Sequence, residues 1–265
     1  MTKNLFNAEK CSIQKITKHT DIEYTYRVAT KLKTTFGQFF QVSIPRVGEA
    51  PISVSGFGEG WVEFTIRRVG QLTNKLHELE VGDFFYIRGS YGNGFDLADL
   101  KDKHVVIAGG GSGVAPVRPL IEYLYGHDKH ADCVDLLFGF KTPNDILFRD
   151  DLIKWKKKFN TIITVDETCG IWDGECEGLI TKYVKHIKLT EFSNLVVIII
   201  GPPLMMKFTA GEFMNHGVPK DKIIVSFERN MSCGIGKCGH CKIDEKYVCL
   251  EGPIFRYDIA EMLID

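Results

Sequence analysis

The sequence predicts an all-β amino-terminal domain, then an α/β domain built on a parallel sheet, then a short cysteine-rich segment. Three observations carry that expectation. Residues 1–100 hold short aromatic and β-branched runs separated by Gly- and Pro-bearing stretches. After Lys103, apolar strands alternate with helical stretches. Four of the eight cysteines then fall within 17 residues near the carboxy terminus. A chain of 265 residues fits two domains at roughly 100–200 residues each. The expected boundaries are 1–100, 101–226 and 227–265.

In the first domain, residues 23–30 (EYTYRVAT), 39–44 (FFQVSI), 61–67 (WVEFTIR) and 84–88 (FFYIR) read as strands. Residues 45–51 and 56–60 read as separators. Leu72, Leu76 and Leu79 at helical spacing predict one helix over 72–79. Short strands at this spacing suggest a barrel or a sandwich. In the second domain, residues 104–108 (HVVIA), 133–138, 161–165, 195–200 and 223–226 read as strands. Helices are expected over 117–125, 146–158, 179–186 and 203–216. Strand–helix alternation of this kind gives a parallel sheet.

Composition excludes several function classes. Thirty-three Lys and Arg stand against 34 Asp and Glu, a net charge of −1, so nothing favours nucleic acid or an anionic membrane surface. The longest apolar run, residues 195–200, falls far short of the roughly 20 residues of a membrane helix. The opening MTKNLFNAEKCSIQ has no apolar export core. The expectation is a cytoplasmic protein.

Cys233, Cys238 and Cys241 form a C-x4-C-x2-C pattern, and Cys249 follows after seven residues. This is the ligand spacing of a plant-type [2Fe–2S] centre, in which two irons share four thiolates. Gly234, Gly236 and Gly239 let the backbone wrap closely and aim N–H groups at sulfur. The main alternative is a zinc site, which more often opens with C-x2-C pairs and recruits histidine. His240 is expected to be exposed or outside the ligand set. Cys11 and Cys133 read as small core residues, and Cys169 and Cys176 as loop residues on either side of Trp172, with a labile pair between them as the lesser alternative.

The run VVIAGGGSGVAP leads from a strand into a helix. Gly110, Gly111, Ser112 and Gly113 line the turn, and Pro116 sits in the first helical turn. Helix N-termini with a glycine approach favour phosphate. The pattern is not the complete G-x-G-x-x-G fingerprint, because Val114 takes the third place. Gly201, Pro202, Pro203 and Met205 form a second strand-to-helix junction. Both junctions lie at carboxyl ends of strands, where open α/β sheets bind ligands. A nicotinamide gives up two electrons together, whereas a [2Fe–2S] cluster takes one at a time. A flavin in the first domain is the expected intermediary.

At this point the chain resembles the ferredoxin–NADP reductase superfamily, in particular its members with a carboxy-terminal [2Fe–2S] segment. The resemblance spans essentially the full length. It implies an antiparallel flavin-binding barrel, a parallel-sheet nucleotide-binding domain and the cluster segment. Family members carry Arg-x-Tyr/Leu/Ile-Ser on a barrel strand. Ala50, Pro51, Ile52 and Ser53 occupy that stretch here, so the serine is kept and the arginine is not. The resemblance implies that Ser53 meets the flavin ring, where the hydride arrives, with Pro51 and Ile52 beside it. It also implies that Gly70, Gln71, Leu72 and Thr73 meet the FAD pyrophosphate, Thr73 through its hydroxyl. Arg67 or Arg68 is the available replacement for the missing charge, and Tyr91 and Phe95 are flavin-proximal candidates. Asp166 is a further nucleotide contact by resemblance, in a stretch with Trp172, Gly174 and Gly178.

Within the superfamily, GEAPIS, ERNMSCGIGKCGHC and YVCLEGPIF most resemble the B subunits of anaerobic sulfite reductases. Electron-transfer subunits of dihydroorotate dehydrogenase and γ subunits of sulfhydrogenases are the alternatives. The resemblance implies a conduit from NADH, rather than NADPH, through FAD and [2Fe–2S]. Its partners would be a ferredoxin-like subunit and a sirohaem subunit that reduces sulfite. A redox-sensing nucleotide-binding regulator is the rival from another class.

Overall fold

The computed structural model describes residues 6–168, 176–189 and 192–263. The chain divides into two units. One runs to Phe95 and takes in Glu228–Ile254; the other comprises Asp96–Phe227 and the segment from Phe255 onward.

In the first unit, β1 (Glu9–Lys18), β2 (Glu23–Ala29), β3 (Phe39–Ile44), β4 (Gly48–Gly58), β5 (Trp61–Arg67), helix α1 (Gln71–Leu76) and β6 (Phe84–Tyr91) follow in order. The strands close into a barrel of order β1-β2-β5-β4-β3-β6 with antiparallel pairing. It is therefore a barrel and not a sandwich. Tyr26, Phe40, Val42, Val54, Phe64, Phe85 and Ile87 fill it. Alternation along each strand puts these residues inside and their neighbours outside.

Two of its strands were not evident from the sequence. β1 is mostly polar, and only Cys11 and Ile13 reach the core. β4 runs through the stretch 45–51 that reads as a separator. Pro51 is tolerated because at that level β4 pairs with β3 alone; pairing with β5 begins at Val54, so no second partner needs the missing N–H.

The second unit begins with β7 (His104–Gly110), α2 (Val114–Gly126), β8 (Cys133–Phe140), α3 (Arg149–Trp155) and β9 (Asn160–Val165). It continues with β10 (Cys176–Glu177), β11 (Leu195–Ile200), α4 (Pro203–Asn215) and β12 (Ile223–Ser226). The chain then forms the hairpin β13 (Lys242–Ile243) and β14 (Lys246–Tyr247) and the turn of helix α5 (Val248–Glu251). It ends in β15 (Ile254–Arg256) and α6 (Tyr257–Ala260).

The large sheet has the order β10-β9-β8-β7-β11-β12-β15. Pairings among β7–β12 are parallel. β7 and β11 are buried at every residue, as central parallel strands covered on both faces must be. The helix expected over 146–158 is shorter, because Phe148 takes a left-handed backbone (φ 53) and α3 starts after it. Residues 180–186 wind as a 3-10 helix instead of an α-helix.

Candidate functional site

The cysteine loop belongs to the barrel unit. Gly234, Gly236 and Gly239 all have positive φ (74, 69 and 81°), the conformation that lets the loop curl around its sulfurs. Backbone N–H groups of Ile235, Lys237 and Cys238 donate to Cys233 Sγ at 3.4, 3.3 and 3.4 Å, and Gly236 N–H donates to Cys249 Sγ at 3.1 Å. The β13–β14 hairpin returns Cys249 on α5.

Backbone N–H donors, His240 foremost, hold the Cys238 thiol down to about 7. Burial and the adjacent Cys241 push the Cys249 thiol up. N–H donors aimed at sulfur suit a thiolate cluster, and four cysteines at this spacing on a glycine-rich loop suit two irons that share them. His240 is exposed, and so is Cys238, whereas Cys233, Cys241 and Cys249 are buried. The four residues thus fit an iron–sulfur cluster with its edge open to solvent at Cys238.

Arg88 on β6 anchors this loop, and sequence reasoning missed it. Its Nε donates to Glu49 Oε2 at 2.9 Å, and Nη1 donates to Cys233 O at 2.6 Å and to the Tyr91 hydroxyl at 2.9 Å. Nη2 donates to Glu49 Oε1 and Ser232 O. The guanidinium is buried, and its planar fork serves a carboxylate on one side and two loop carbonyls on the other. A lone cation in the aromatic run FFYIRGSYG was the available signal. Tyr91, a flavin candidate by resemblance, packs under the cluster loop, where a Cβ on Gly234 would lie 3.0 Å from its ring. Phe95 is buried against Gly37.

The pleat of β4 presents two faces. Glu49 points to Arg88 and the cluster loop, and Pro51 and Ser53 share its parity. Gly48, Ala50 and Ile52 have the other parity; Ala50 and Ile52 pack on the barrel core, and Gly48 lies against Leu72 of α1. The start of β4 thus lies against α1, and residues 50–53 follow along the same strand toward the level of Phe39 and Tyr91.

The Thr73 hydroxyl is already used. It accepts from Val69 N–H and Gly70 N–H, both at 2.9 Å, and donates to Gly70 O. Contrary to the sequence expectation, the donors left at this turn are the backbone N–H groups of Gln71, Leu72 and Thr73, which have no intrahelical acceptors. Arg67 pairs with Glu23, whereas Arg68 Nε is bonded to Asn74 Oδ1 on α1 at 3.2 Å. Arg68 is therefore a cation tied to α1 beside this turn, where the family arginine is missing. Gln41, paired in register with Pro51 and Arg88, is buried with its side-chain amide unpartnered. These features fit a flavin nucleotide held by backbone donors.

In the second unit, the two glycine turns converge. Ile200 pairs with Gly109. A Cβ on Gly110 would lie 2.8 Å from Met205 Cε, and one on Gly113 only 2.5 Å from Ile200 O. Gly201 is equally close to Met205, and Pro203 opens α4 behind Pro202. Gly111 (φ 54) and Ser112 form a 3-10 turn that runs straight into α2, and Pro116 is buried in its first turn. The free N–H groups at the start of this helical run face the carboxyl end of the sheet, a cradle for a diphosphate. Asp166 follows β9, beyond β8 from the turns; burial and Glu167 raise its carboxyl above the usual range. Gly178 is described, whereas Cys169, Trp172 and Gly174 lie outside the described residues.

The remaining thiols differ from expectation in one respect. Cys11 is in the core, and burial with Glu9 nearby pushes its thiol up to about 12; Cys133, expected in a core, is exposed at the start of β8. Native protein treated with iodoacetamide at pH 8 is expected to be labelled at Cys133 and not at Cys11, as peptide mass mapping will show.

Comparison with known proteins agrees with this geometry. Residues 106–211 match the oxidoreductase NAD-binding domain, and residues 228–260 match the iron–sulfur cluster binding domain of dihydroorotate dehydrogenase B. The γ subunit of sulfhydrogenase 1 from Pyrococcus furiosus is 35% identical over 242 residues, covering 85% of this chain and 80% of that one. A probable dihydroorotate dehydrogenase B (NAD(+)) electron transfer subunit from Methanocaldococcus jannaschii is 32% identical over 247 residues, covering 92% and 88%.

Among solved structures, an NADH-dependent reduced ferredoxin–NADP oxidoreductase superposes with a TM-score of 0.77 at 22% identity, covering 96% of this chain and 92% of that one. A ferredoxin NADP+ reductase from Neisseria gonorrhoeae with bound FAD and NADP gives 0.71 at 19%, covering 82% and 97%.

Fold and sites define an NAD-binding oxidoreductase with an added iron–sulfur domain, on a fold like that of the ferredoxin–NADP reductases. Within that class, the chain belongs to the family of electron-transfer subunits that includes the sulfhydrogenase γ subunits and the dihydroorotate dehydrogenase B electron-transfer subunits. Among the described residues, no helix is long and apolar enough to cross a membrane.

Proposed function

We propose that this chain carries electrons from NADH, by way of FAD and a [2Fe–2S] cluster, to a separate catalytic subunit. The observation that supports it best is the loop of four cysteines whose backbone N–H groups donate to the sulfurs of Cys233 and Cys249 and which Arg88 clamps to the barrel. When bound, the flavin supplies the exchange between a hydride pair and single electrons. The protein's own groups bind and orient. The backbone donors around Gly110–Gly113 take the nucleotide diphosphate, and Gly201 and Pro202 let the cofactor approach the backbone closely. The N–H groups of 71–73, with Arg68, take the FAD pyrophosphate, and Ser53 stands on the strand between that end and the cluster face. Arg88 fixes the loop that carries Cys233, and the exposed Cys238 faces the partner.

NADH is the favoured donor. Asp145 caps the turn beside Lys141, accepting from Thr142 N–H and Oγ1 at 3.0 and 2.7 Å, and a carboxylate at this place disfavours a 2′-phosphate. Turnover with NADH is expected to exceed that with NADPH at equal concentration.

The relatives favour a hydrogenase-type or dihydroorotate-type acceptor subunit. The second reading, delivery to ferredoxin-like and sirohaem sulfite reductase subunits, rests on the residue-level resemblance at 49–53, 228–241 and 247–255. No cysteine quartet of cluster spacing remains for sirohaem chemistry on this chain. The test is to purify the native complex and assay NADH-dependent reduction of sulfite, sulfur, protons and orotate. Sulfite reduction by the complex but not by this chain alone selects the second reading. Activity with one of the other acceptors selects the first. Failure of the chain to reduce any artificial one-electron acceptor with NADH removes both.

A further inference from the structure

The amino-terminal edge of the large sheet carries a cluster of metal-ligating side chains that the electron path does not use. His104 opens β7, Cys133 opens β8 and Asn160 opens β9. Parallel register pairs His104 with Cys133 and Asp135 with Asn160. Aligned residues share a face, and so do positions 133 and 135, so all four side chains stand on one side of the sheet. His104 Nε2 lies 2.5 Å from Asp135 Oδ2, and Cys133 Sγ lies 3.9 Å from the same oxygen. Asn160 Nδ2 donates to the other oxygen, Oδ1, at 2.5 Å. The imidazole nitrogen, thiol sulfur and carboxylate oxygen all fall within 4.8 Å of one another. His104 and Asp135 are buried and Cys133 is exposed.

We propose that His104, Cys133 and Asp135 bind one divalent cation of the zinc class, with a water completing the coordination on the exposed Cys133 side. The donor set decides the class. Nitrogen, sulfur and oxygen together suit a borderline-soft ion, whereas calcium and magnesium demand oxygen alone. A histidine–aspartate hydrogen bond needs no sulfur beside it, and the thiol supplies both the third ligand and the solvent access. Asn160 fixes the carboxylate so that Oδ2 faces the imidazole and the thiol, the outer support that ordered metal sites use.

On binding, the imidazole takes the tautomer protonated at Nδ1 so that Nε2 offers its lone pair to the cation, and Cys133 releases its proton to water. Nε2 and Oδ2 then separate by about 1 Å, to roughly the 3.4 Å between ligands of a tetrahedral zinc. The site lies at the far ends of β7 and β8 from the glycine turns, roughly 20 Å along seven residues. It therefore clamps the sheet without entering the nucleotide site.

The test uses the protein with its flavin and cluster in place, equilibrated with zinc chloride and dialysed. Elemental analysis is expected to find about one more zinc per chain in the native protein than in Cys133→Ala, with equal iron in both. Cys133 is exposed, so that variant keeps the fold. Zinc is also expected to slow alkylation of Cys133 about tenfold while leaving Cys176 unchanged, and Asn160→Ala is expected to weaken binding about tenfold. Equal zinc in native and Cys133→Ala protein, or alkylation of Cys133 indifferent to zinc, overturns the site.

Discussion

A single methyl group at position 113 is expected to weaken NADH binding roughly a hundredfold while leaving the iron content untouched. In Gly113→Ala the new Cβ would sit 2.5 Å from Ile200 O, 2.8 Å from its carbonyl carbon and 2.9 Å from Gly201 Cα. None of these atoms is the end of a flexible side chain. They belong to the carboxyl end of β11, buried at every residue and paired on both sides with β7 and β12. Relief must come from the turn, which moves its N–H groups away from the diphosphate. Overpacking of this kind costs about 1–3 kcal/mol. A comparable loss in binding corresponds to roughly a hundredfold rise in the NADH dissociation constant. Fluorescence titration with NADH measures it, and iron assays on the same sample show that the other unit is intact. An unchanged dissociation constant would mean that the diphosphate lies elsewhere.

The second large effect is expected at Arg88. Arg88→Met removes at once the guanidinium's bonds to Glu49, Tyr91 and the carbonyls of Ser232 and Cys233. Hydrogen bonds to charged groups contribute about 1.5–3 kcal/mol, and breaking a buried ion pair costs about 3–5. Glu49 remains about a third exposed and is partly rehydrated, so about 3 kcal/mol is the expected loss. That lowers the melting temperature by roughly 6–12 °C. The loop carrying Cys233 loses its tether, and iron per chain is expected to fall with it. Arg88→Lys keeps the charge but not the fork and should fall between the two. Full iron occupancy and an unchanged melting temperature in Arg88→Met would show that the loop holds itself.

What could be read from the chain follows the range of the interactions. The cysteine spacing and the two glycine turns are local, each written into one short stretch of the chain, and the structure forms a glycine-turned loop or a strand-to-helix turn at each. The central strands were legible because full burial demands unbroken apolar runs. β1 was not, since a strand with one wetted face and only Cys11 and Ile13 inside resembles a polar loop. β4 was hidden by Pro51, which only the one-sided pairing at that level explains. Arg88 was out of reach because its partner Cys233 lies 145 residues away. The same holds for His104 and Asp135, which only strand register brings together. The Thr73 hydroxyl, expected to face a pyrophosphate, instead closes its own turn, a local bond that resemblance to a family cannot reveal.

The most direct test of the conduit is the visible spectrum of anaerobically purified protein before and after NADH, with iron, sulfide and flavin assayed on the same sample. The expected result is about two irons, two acid-labile sulfides and one FAD per chain, with flavin and cluster absorption both bleached by NADH. A colourless protein holding zinc on Cys233, Cys238, Cys241 and Cys249 would contradict it, and electron transfer through this chain would have to be abandoned.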